Sequence, residues 1–352
     1  VSTTSLGAIC AHTHLYSGLA PLGMPAPSPP PENFVQILER VWWRLDRALD
    51  EASLRASARL YIAEALLSGT TALIDHHESP AFIEGSLDVL ADAAQELGVR
   101  ALVCYGATER NGGEAEGRRG LDECARFIRS NQRPLVVGCL ALHASFTVGD
   151  ATIRRAGALC RELSVPMHVH LAEDGADVAD AIERGYAGPL ERLLALDALP
   201  AGSIAAHGVH LSPEQVASAA EHGVWFVHNP RSNKGNAVGY AANLIATDRV
   251  GLGTDGYPAK MADEQAALKE LATDWEAESL RLERGRDLAR ELFGQGVDAD
   301  MVTRDTNGAV DSVVVAGRQV VQDGALVSGD LEAIRQDAAQ QAALLWERMA
   351  KL

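Results

Sequence analysis

The sequence has little with which to cross-link itself, to cross a bilayer or to grip a nucleic acid. Its five cysteines, Cys10, Cys104, Cys124, Cys139 and Cys160, are scattered over 352 residues with no CxxC pair. An odd set on apolar segments excludes a disulfide scaffold and reads as the reduced core thiols of a cytoplasmic protein. The opening VSTTSLGAIC carries neither the basic patch nor the apolar run of a secretory signal. No run nears the roughly 18 apolar residues that a membrane helix needs. Basic residues are few, 31 Lys and Arg against 48 Asp and Glu, which leaves a net charge of −17. Such a chain lacks the basic face on which nucleic-acid polymers bind. No GxGxxG or Walker loop follows a strand candidate, which removes the main dinucleotide and P-loop classes.

What is present is a globular composition, 47% apolar, enough to bury a core and against disorder. Short apolar runs rich in β-branched residues occur at Leu6–His12, Thr71–Asp75, Arg100–Tyr105, Leu135–Leu142, Val165–Leu171, Ser203–His207, Val224–His228 and Val250–Thr254. Between them lie segments of helical period: Glu32–Leu67, Phe82–Leu97, Gly120–Ser130, Asp150–Leu163, Pro189–Leu196 and Ser212–His222. Ser212-Pro213-Glu214-Gln215 spells a helix start, with Ser at the N-cap, Pro at N1 and Gln at N3. Strand–helix alternation on this scale predicts an α/β fold, a closed (β/α)8 TIM barrel of parallel strands with helices outside.

Pro21–Pro31 (PLGMPAPSPPP) is read either as a surface linker or as a cover over the barrel mouth, and Asn111–Gly117 as plain surface loop. The tail changes character. Val310–Val327 alternates around turns at Ala316-Gly317 and Asp323-Gly324, the pattern of a small antiparallel unit. Asp330–Leu352 repeats its apolar residues at helical spacing. The resulting division is a barrel over 7–300, a small β-sandwich remnant from 1–6 and 301–330, and a C-terminal helix over 331–352.

Histidine carries the chemistry. Nine of the eleven lie at His12/His14, His76/His77, His168/His170, His207/His210 and His228. His12-Thr13-His14 closes the first strand candidate, and residues two apart on a strand point to the same side. Two imidazoles converging at the carboxyl end of a barrel strand make a natural metal pair. His168-Val169-His170 repeats the spacing on the fifth strand, with Glu173 three residues on, where a carboxylate reaches a water beside the metal as general acid or base. His168 lies deeper and supports the site. His207 ends the sixth strand, placed to hold an attacking water. Asp255, between glycines at the end of the eighth, can approach a metal closely. His210 reads as structural and His222 as a helix C-terminal charge. His228 is open between substrate contact and anchoring. His76-His77-Glu78 satisfies the H-x-E half of the cysteine-zinc nucleobase deaminases, but the P-C-x-x-C half is missing. At most one of His76 and His77 should face the pocket.

HxH, HxxE, a sixth-strand His and an eighth-strand Asp, in that order, resemble the metal-dependent amidohydrolase superfamily over Gly7 to Gly256. GTTALIDHHESP, LHASFTV, MHVHLAED, AAHGVHLS, FVHNPRSN and GLGTDG resemble its aminohydrolase (deaminase and chlorohydrolase) branch. AHTHLYSGL with WWRLDRAL is similar to SsnA-type aminohydrolases, near 8-oxoguanine deaminases. The resemblance implies His12, His14, His170 and Asp255 as metal ligands, with Asp255 also catalytic. It implies Glu173 as proton shuttle and His207 as partner of the water. Trp43, His77, His143, Asn229, Ser232 and Asn233 would bind substrate. One divalent ion is implied, zinc first and iron or manganese next, since no lysine follows the fourth strand to bridge two ions. The implied function is hydrolytic deamination of a purine-, pyrimidine- or triazine-like small molecule by a homo-oligomer, with no nucleic-acid polymer or membrane as partner. The alternatives are chlorohydrolase or cyclic-amide chemistry on the same site, or a catalytically silent metal-binding barrel. Against the family pattern, HxH falls so early that half of the expected sandwich should be missing, leaving the tail strands unpartnered. Gly256–Val310 is short, and Met301-Val302-Thr303 runs abruptly into Asn307–Asp311 as though a segment between were absent.

Overall fold

A computed structural model describes residues 2–352. The barrel is built from β2 (Ala8–Thr13), β3 (Thr70–Asp75), a third strand split into β4 (Arg100–Val103) and β5 (Gly106–Ala107), and a fourth split into β6 (Val136–Gly138) and β7 (Leu140–Ala144). It continues through β8 (Met167–Leu171), β9 (Ile204–His207), β10 (Trp225–His228) and β11 (Val250–Leu252). Every lateral pairing among them is parallel, in the orders β2-β3-β4-β6 and β5-β7-β8-β9-β10-β11. β3, β4, β7, β8, β9, β10 and β11 are buried along their whole length. That burial is why they read as continuous apolar runs rather than alternating ones.

The seam between first and last strands is narrow. Thr13 bridges Asp255, and the amides of Thr254 and Asp255 both donate to the His12 carbonyl. This approach requires Gly253, where a Cβ would lie 2.6 Å from the His12 carbonyl oxygen. Behind it, the hydroxyls of Thr13, Tyr61 and Thr254 form one buried hydrogen-bonded group.

Several helices fall where the sequence places them. Pro213–Glu221 begins with a capping box, Ser212 accepting from the Gln215 amide and Gln215 reaching back to the Ser212 amide. The expected helix Glu32–Leu67 is instead broken. Helical turns run over Phe34–Ile37 and Trp43–Ala48 around a widened π turn at Leu38–Trp42. Leu49 is extended, and a new helix, Glu51–Leu67, starts on the Asp50–Ser53 capping box. Residues 113–117, expected as loop, form the first turns of the helix Gly113–Ser130. In Pro21–Pro31, Leu22 accepts from the Trp346 indole and Pro30 from Arg40, and none of the segment lines the cavity at the strand ends.

Tail strands expected to lack partners find one. β1 (Thr3–Leu6) pairs antiparallel with β12 (Met301–Arg304), followed by β13 (Val310–Val315), β14 (Arg318–Gln322) and β15 (Ala325–Leu326) in one five-stranded sheet. The stretch that looked like a join between β12 and β13 is a tight turn, with the Asp305 amide donating to Ala309 and Gly308 to Asp305. Arg100 of β4 clamps Asp300 with Nε at 2.6 Å and Nη2 at 3.1 Å, both groups buried, which locks sheet to barrel. The C-terminal helix Leu331–Met349 buries Ile334, Ala338, Ala342, Leu345 and Met349.

Gly253→Ala should cost roughly 1–3 kcal/mol, the usual penalty for overpacking, and lower the thermal midpoint. An unchanged midpoint would show that β2 and β11 have room to part.

Candidate metal centre and its cavity

Barrel register brings the polar strand ends to one level. Thr13 lies opposite Asp75, Ala144 opposite His170, and Leu171 opposite His207. Leu15, just after His14, donates its amide to Asp75 at 2.6 Å, which tethers the turn leaving β2. His207 and Asp255 both have positive φ, 75° and 53°, and Ala172 before Glu173 has 48°. Non-glycine residues in the left-handed region are strained and tend to gather at functional sites.

Ligand-type atoms of His12, His14, His170 and Asp255 all lie within 4.8 Å of one another. His14 Nε2 is 2.8 Å and His12 Nε2 3.4 Å from Asp255 Oδ1. Hydrogen bonds behind the rings set the tautomers. His14 Nδ1–H donates to the His76 carbonyl and His170 Nδ1–H to the His143 carbonyl. Each therefore presents a bare Nε2, and these two nitrogens are 3.3 Å apart. His12 Nδ1 pairs with His168 Nε2 at 3.0 Å, and His12 Nε2 is buried with no hydrogen-bond partner. Lone pairs facing one another beside a carboxylate are electrostatically complete only around a cation, so the donor set fits a divalent ion. Three nitrogens and one oxygen suit zinc, and fixing the second ring nitrogen on a carbonyl is how such ligands are held.

Charges follow from this crowding. Burial disfavours an imidazolium at His14, but the hydrogen bond and charge of Asp255, with the charge of Glu78, outweigh it and hold His14 at about 9. Burial dominates at His12, which falls to about 3. Burial also opposes the Asp255 carboxylate, yet His12 and His14 hold it well below the ordinary range. Glu173 rises well above its ordinary value through burial and the Asp255 charge, against a weak bond from Asn236. Its Oε2 stands 3.5 Å from His207 Nε2, which has no hydrogen-bond partner.

Above these groups lies a cavity of about 640 Å³ including its open mouth. Trp43, Phe146 and His143 line it, with Tyr16, Glu78 and Glu173. Trp43 reaches it from the segment after the π turn, and Arg110 stacks over its outer ring face at 4.6 Å while pairing with Asp46.

Four of the expected substrate contacts need correction. His77 is fully buried, bonded to Ser79 Oγ and packed on Tyr105, outside the cavity lining. Asn229, Ser232 and Asn233 do not line the cavity either. Ser232 donates to Asp255 Oδ2, Asn233 accepts from His207 Nδ1 at 2.8 Å, and Asn229 Nδ2 stands 3.4 Å from the same nitrogen. They aim the acid and the imidazole. His228 is an anchor: its Nδ1 accepts from the buried Arg281. The sequence alone left Glu78 and Asp46 unassigned, though both line the cavity. A signal for Glu78 was available, since it stands three residues past the end of its strand, as Glu173 stands three past His170.

Residues 3–290 match the model of the amidohydrolase family, and the chain belongs to that family. The 5'-deoxyadenosine deaminase of Methanoregula boonei is 31% identical over 220 residues, covering 61% of this chain and 48% of that protein. The chain thus spans about half the length of that relative. The 5'-deoxyadenosine deaminase of Methanopyrus kandleri is 28% identical over 381 residues, covering 95% of this chain and 84% of its own. The solved structure of an adenosine deaminase from Xanthomonas campestris with bound zinc superposes with a TM-score of 0.83 at 25% identity, over 100% of this chain and 87% of that one. No helix of the described residues is long and apolar enough to cross a membrane.

A histidine held at about 9 must lose its proton for an ion to bind. Without metal, the stability that His14 lends through its raised value is complete below its unfolded value and disappears as pH rises through 9. Zinc affinity should move the other way, strengthening across that window with release of about one proton. Calorimetry in buffers of differing ionisation enthalpy checks this, and uptake without proton release would remove His14 from the ligand set.

Proposed function

We propose that this amidohydrolase is a metal-dependent deaminase of a nitrogen heterocycle, replacing a ring amino group by oxygen with loss of ammonia. The observation that carries this is the convergence of His12, His14, His170 and Asp255 beneath a cavity that also receives Glu173. The names of its relatives, deaminases of adenosine-type molecules, support it. We favour zinc as the ion, and a homo-oligomer in a reducing compartment such as the cytoplasm. The five free, buried thiols support that location.

When bound, such an ion makes a water acidic enough to yield a proton near neutral pH. The residues do the rest. Trp43 and Phe146 flank a flat ring and exclude solvent from its faces. Asp255, its second oxygen held by Ser232, takes a proton from the attacking water. His207, turned by Asn233, offers its free Nε2 to the oxygen that becomes bonded to carbon. Glu173, whose hold on a proton is strengthened by burial and by the neighbouring Asp255 charge, gives that proton to the ring nitrogen. That nitrogen takes up the electron pair as the carbon becomes tetrahedral. Asp255 passes its proton to the amino group and the new hydroxyl returns one to Glu173, so that the C–N bond breaks, ammonia departs and the ring carbonyl forms.

Glu173→Gln should retain the ion and lose turnover by roughly 10²–10⁴-fold, the usual contribution of a positioned acid or base. Metal analysis with ammonia release from a purine, pyrimidine and triazine panel provides the measurement. Rates near those of the parent would overturn the role of Glu173. A metal-loaded parent that binds the rings without releasing ammonia would overturn the activity itself.

A further inference from the structure

Glu78 is one of three buried acids on the cavity wall, with Asp46 and Asp177, that this mechanism does not use. It is 1% exposed and lines the cavity beside the metal centre. His76 lies on its far side. Its Nε2–H donates to the Leu142 carbonyl at 3.1 Å, and its Nδ1 meets Glu78 Oε1 at 2.8 Å. The contact is close, but neither buried atom makes an aligned hydrogen bond, so Oε1 is covered by the His76 ring rather than satisfied by it. Oε2 has no donor among the described residues. His14 Nδ1 lies 4.0 Å from it, and its proton is given to the His76 carbonyl.

Room for the pair is built in. A Cβ at Gly106 would overlap both the Glu78 carboxylate and the His76 ring. No lysine or arginine lines the cavity to meet the free oxygen. Arg110 is turned to Asp46 and to the outer face of Trp43. Asp177, a second buried carboxylate on the wall, is already satisfied by Ser145 Oγ and the amides of Phe146 and Ala172. A buried acceptor left open beside an aromatic slot is a receptor for an N–H edge, since a ligand lacking that donor would leave it unpaired.

Resting on the deaminase reading above, we propose that Glu78 selects the substrate. Its free oxygen receives an amino or ring N–H group at the ring edge away from the reacting carbon. The site then prefers neutral or cationic, donor-rich amino-heterocycles and rejects rings bearing carboxylate or phosphate.

The test compares ring pairs differing in one donor, 2,4-diaminopyrimidine with 4-aminopyrimidine and 2,6-diaminopurine with adenine, on zinc-loaded parent and Glu78→Gln. Binding of benzamidine, a flat amidinium, is measured by calorimetry on both proteins. The parent should favour the donor-rich member at least tenfold in kcat/KM, which is about 1.4 kcal/mol. Glu78→Gln should reduce that preference below threefold, with the loss in KM, and weaken benzamidine at least tenfold. No preference in the parent, a preference kept by the variant, or a loss confined to kcat would overturn the proposal. Loss of a zinc equivalent in the variant would also overturn it, by making Glu78 a metal ligand. If no ring is turned over but benzamidine binds and depends on Glu78, the deaminase activity fails and the receptor role stands. Absence of both sinks the receptor too. Should the variant not fold, the parent's own preference decides.

Discussion

The structure depends on a repulsion. Two imidazole nitrogens, one from β2 and one from β8, hold their lone pairs 3.3 Å apart with a carboxylate beside them. Neither ring can turn away, because each gives its other N–H to a backbone carbonyl of a neighbouring strand end. Relief comes from a positive charge, either a proton held by His14 or a divalent ion. Much else at the barrel mouth serves to keep that arrangement from collapsing. Gly253 lets the last strand come close enough to bring Asp255 in, and Arg100–Asp300 fastens the barrel to the tail sheet.

Around this centre the polar side chains divide by direction. Ser232, Asn233 and Asn229 face Asp255 and His207 from behind, and His168 backs His12. Glu173, Glu78, Trp43 and His143 face the cavity. A substitution in the first group should act on charge and aim, and one in the second on what the cavity accepts. The left-handed backbone at His207 and Asp255 belongs to the same design. It lifts side chains out of the strand direction and into the space where a ligand would sit.

Much of this was legible in the chain because a strand repeats every two residues and a barrel site gathers at strand ends. His12/His14, His170 with Glu173, His207 and Asp255 could each be assigned to a strand terminus without coordinates. Lateral direction was not legible. Asn229, Ser232 and Asn233 follow β10, the last two in the short helix Pro230–Gly235, and nothing in their spacing says that they point at His207 and Asp255 rather than at the cavity. Glu78 was visible as part of a motif belonging to another fold and by its place three residues past a strand end, and neither says that it faces the cavity. The break at Leu49 was hidden because apolar residues continue across it and only the Asp50–Ser53 box marks the restart. The pairing of β1 with β12 joins residues nearly three hundred apart, a distance at which no local pattern carries information.

That separation bears on how the protein is made. Thr13 and Thr254, which flank the seam, are 241 residues apart, and synthesis at about 5–20 residues per second puts tens of seconds between their appearances. The first two imidazoles exist long before the carboxylate that completes their set. An ion that meets the growing chain early finds only a two-nitrogen chelate on an unclosed sheet, and holds it weakly. His170 adds a third nitrogen on the way, and the set is completed only when the seam shuts and brings Asp255 beside the rings. The last donor and the last strand pairing of the barrel are thus delivered by one stretch of chain.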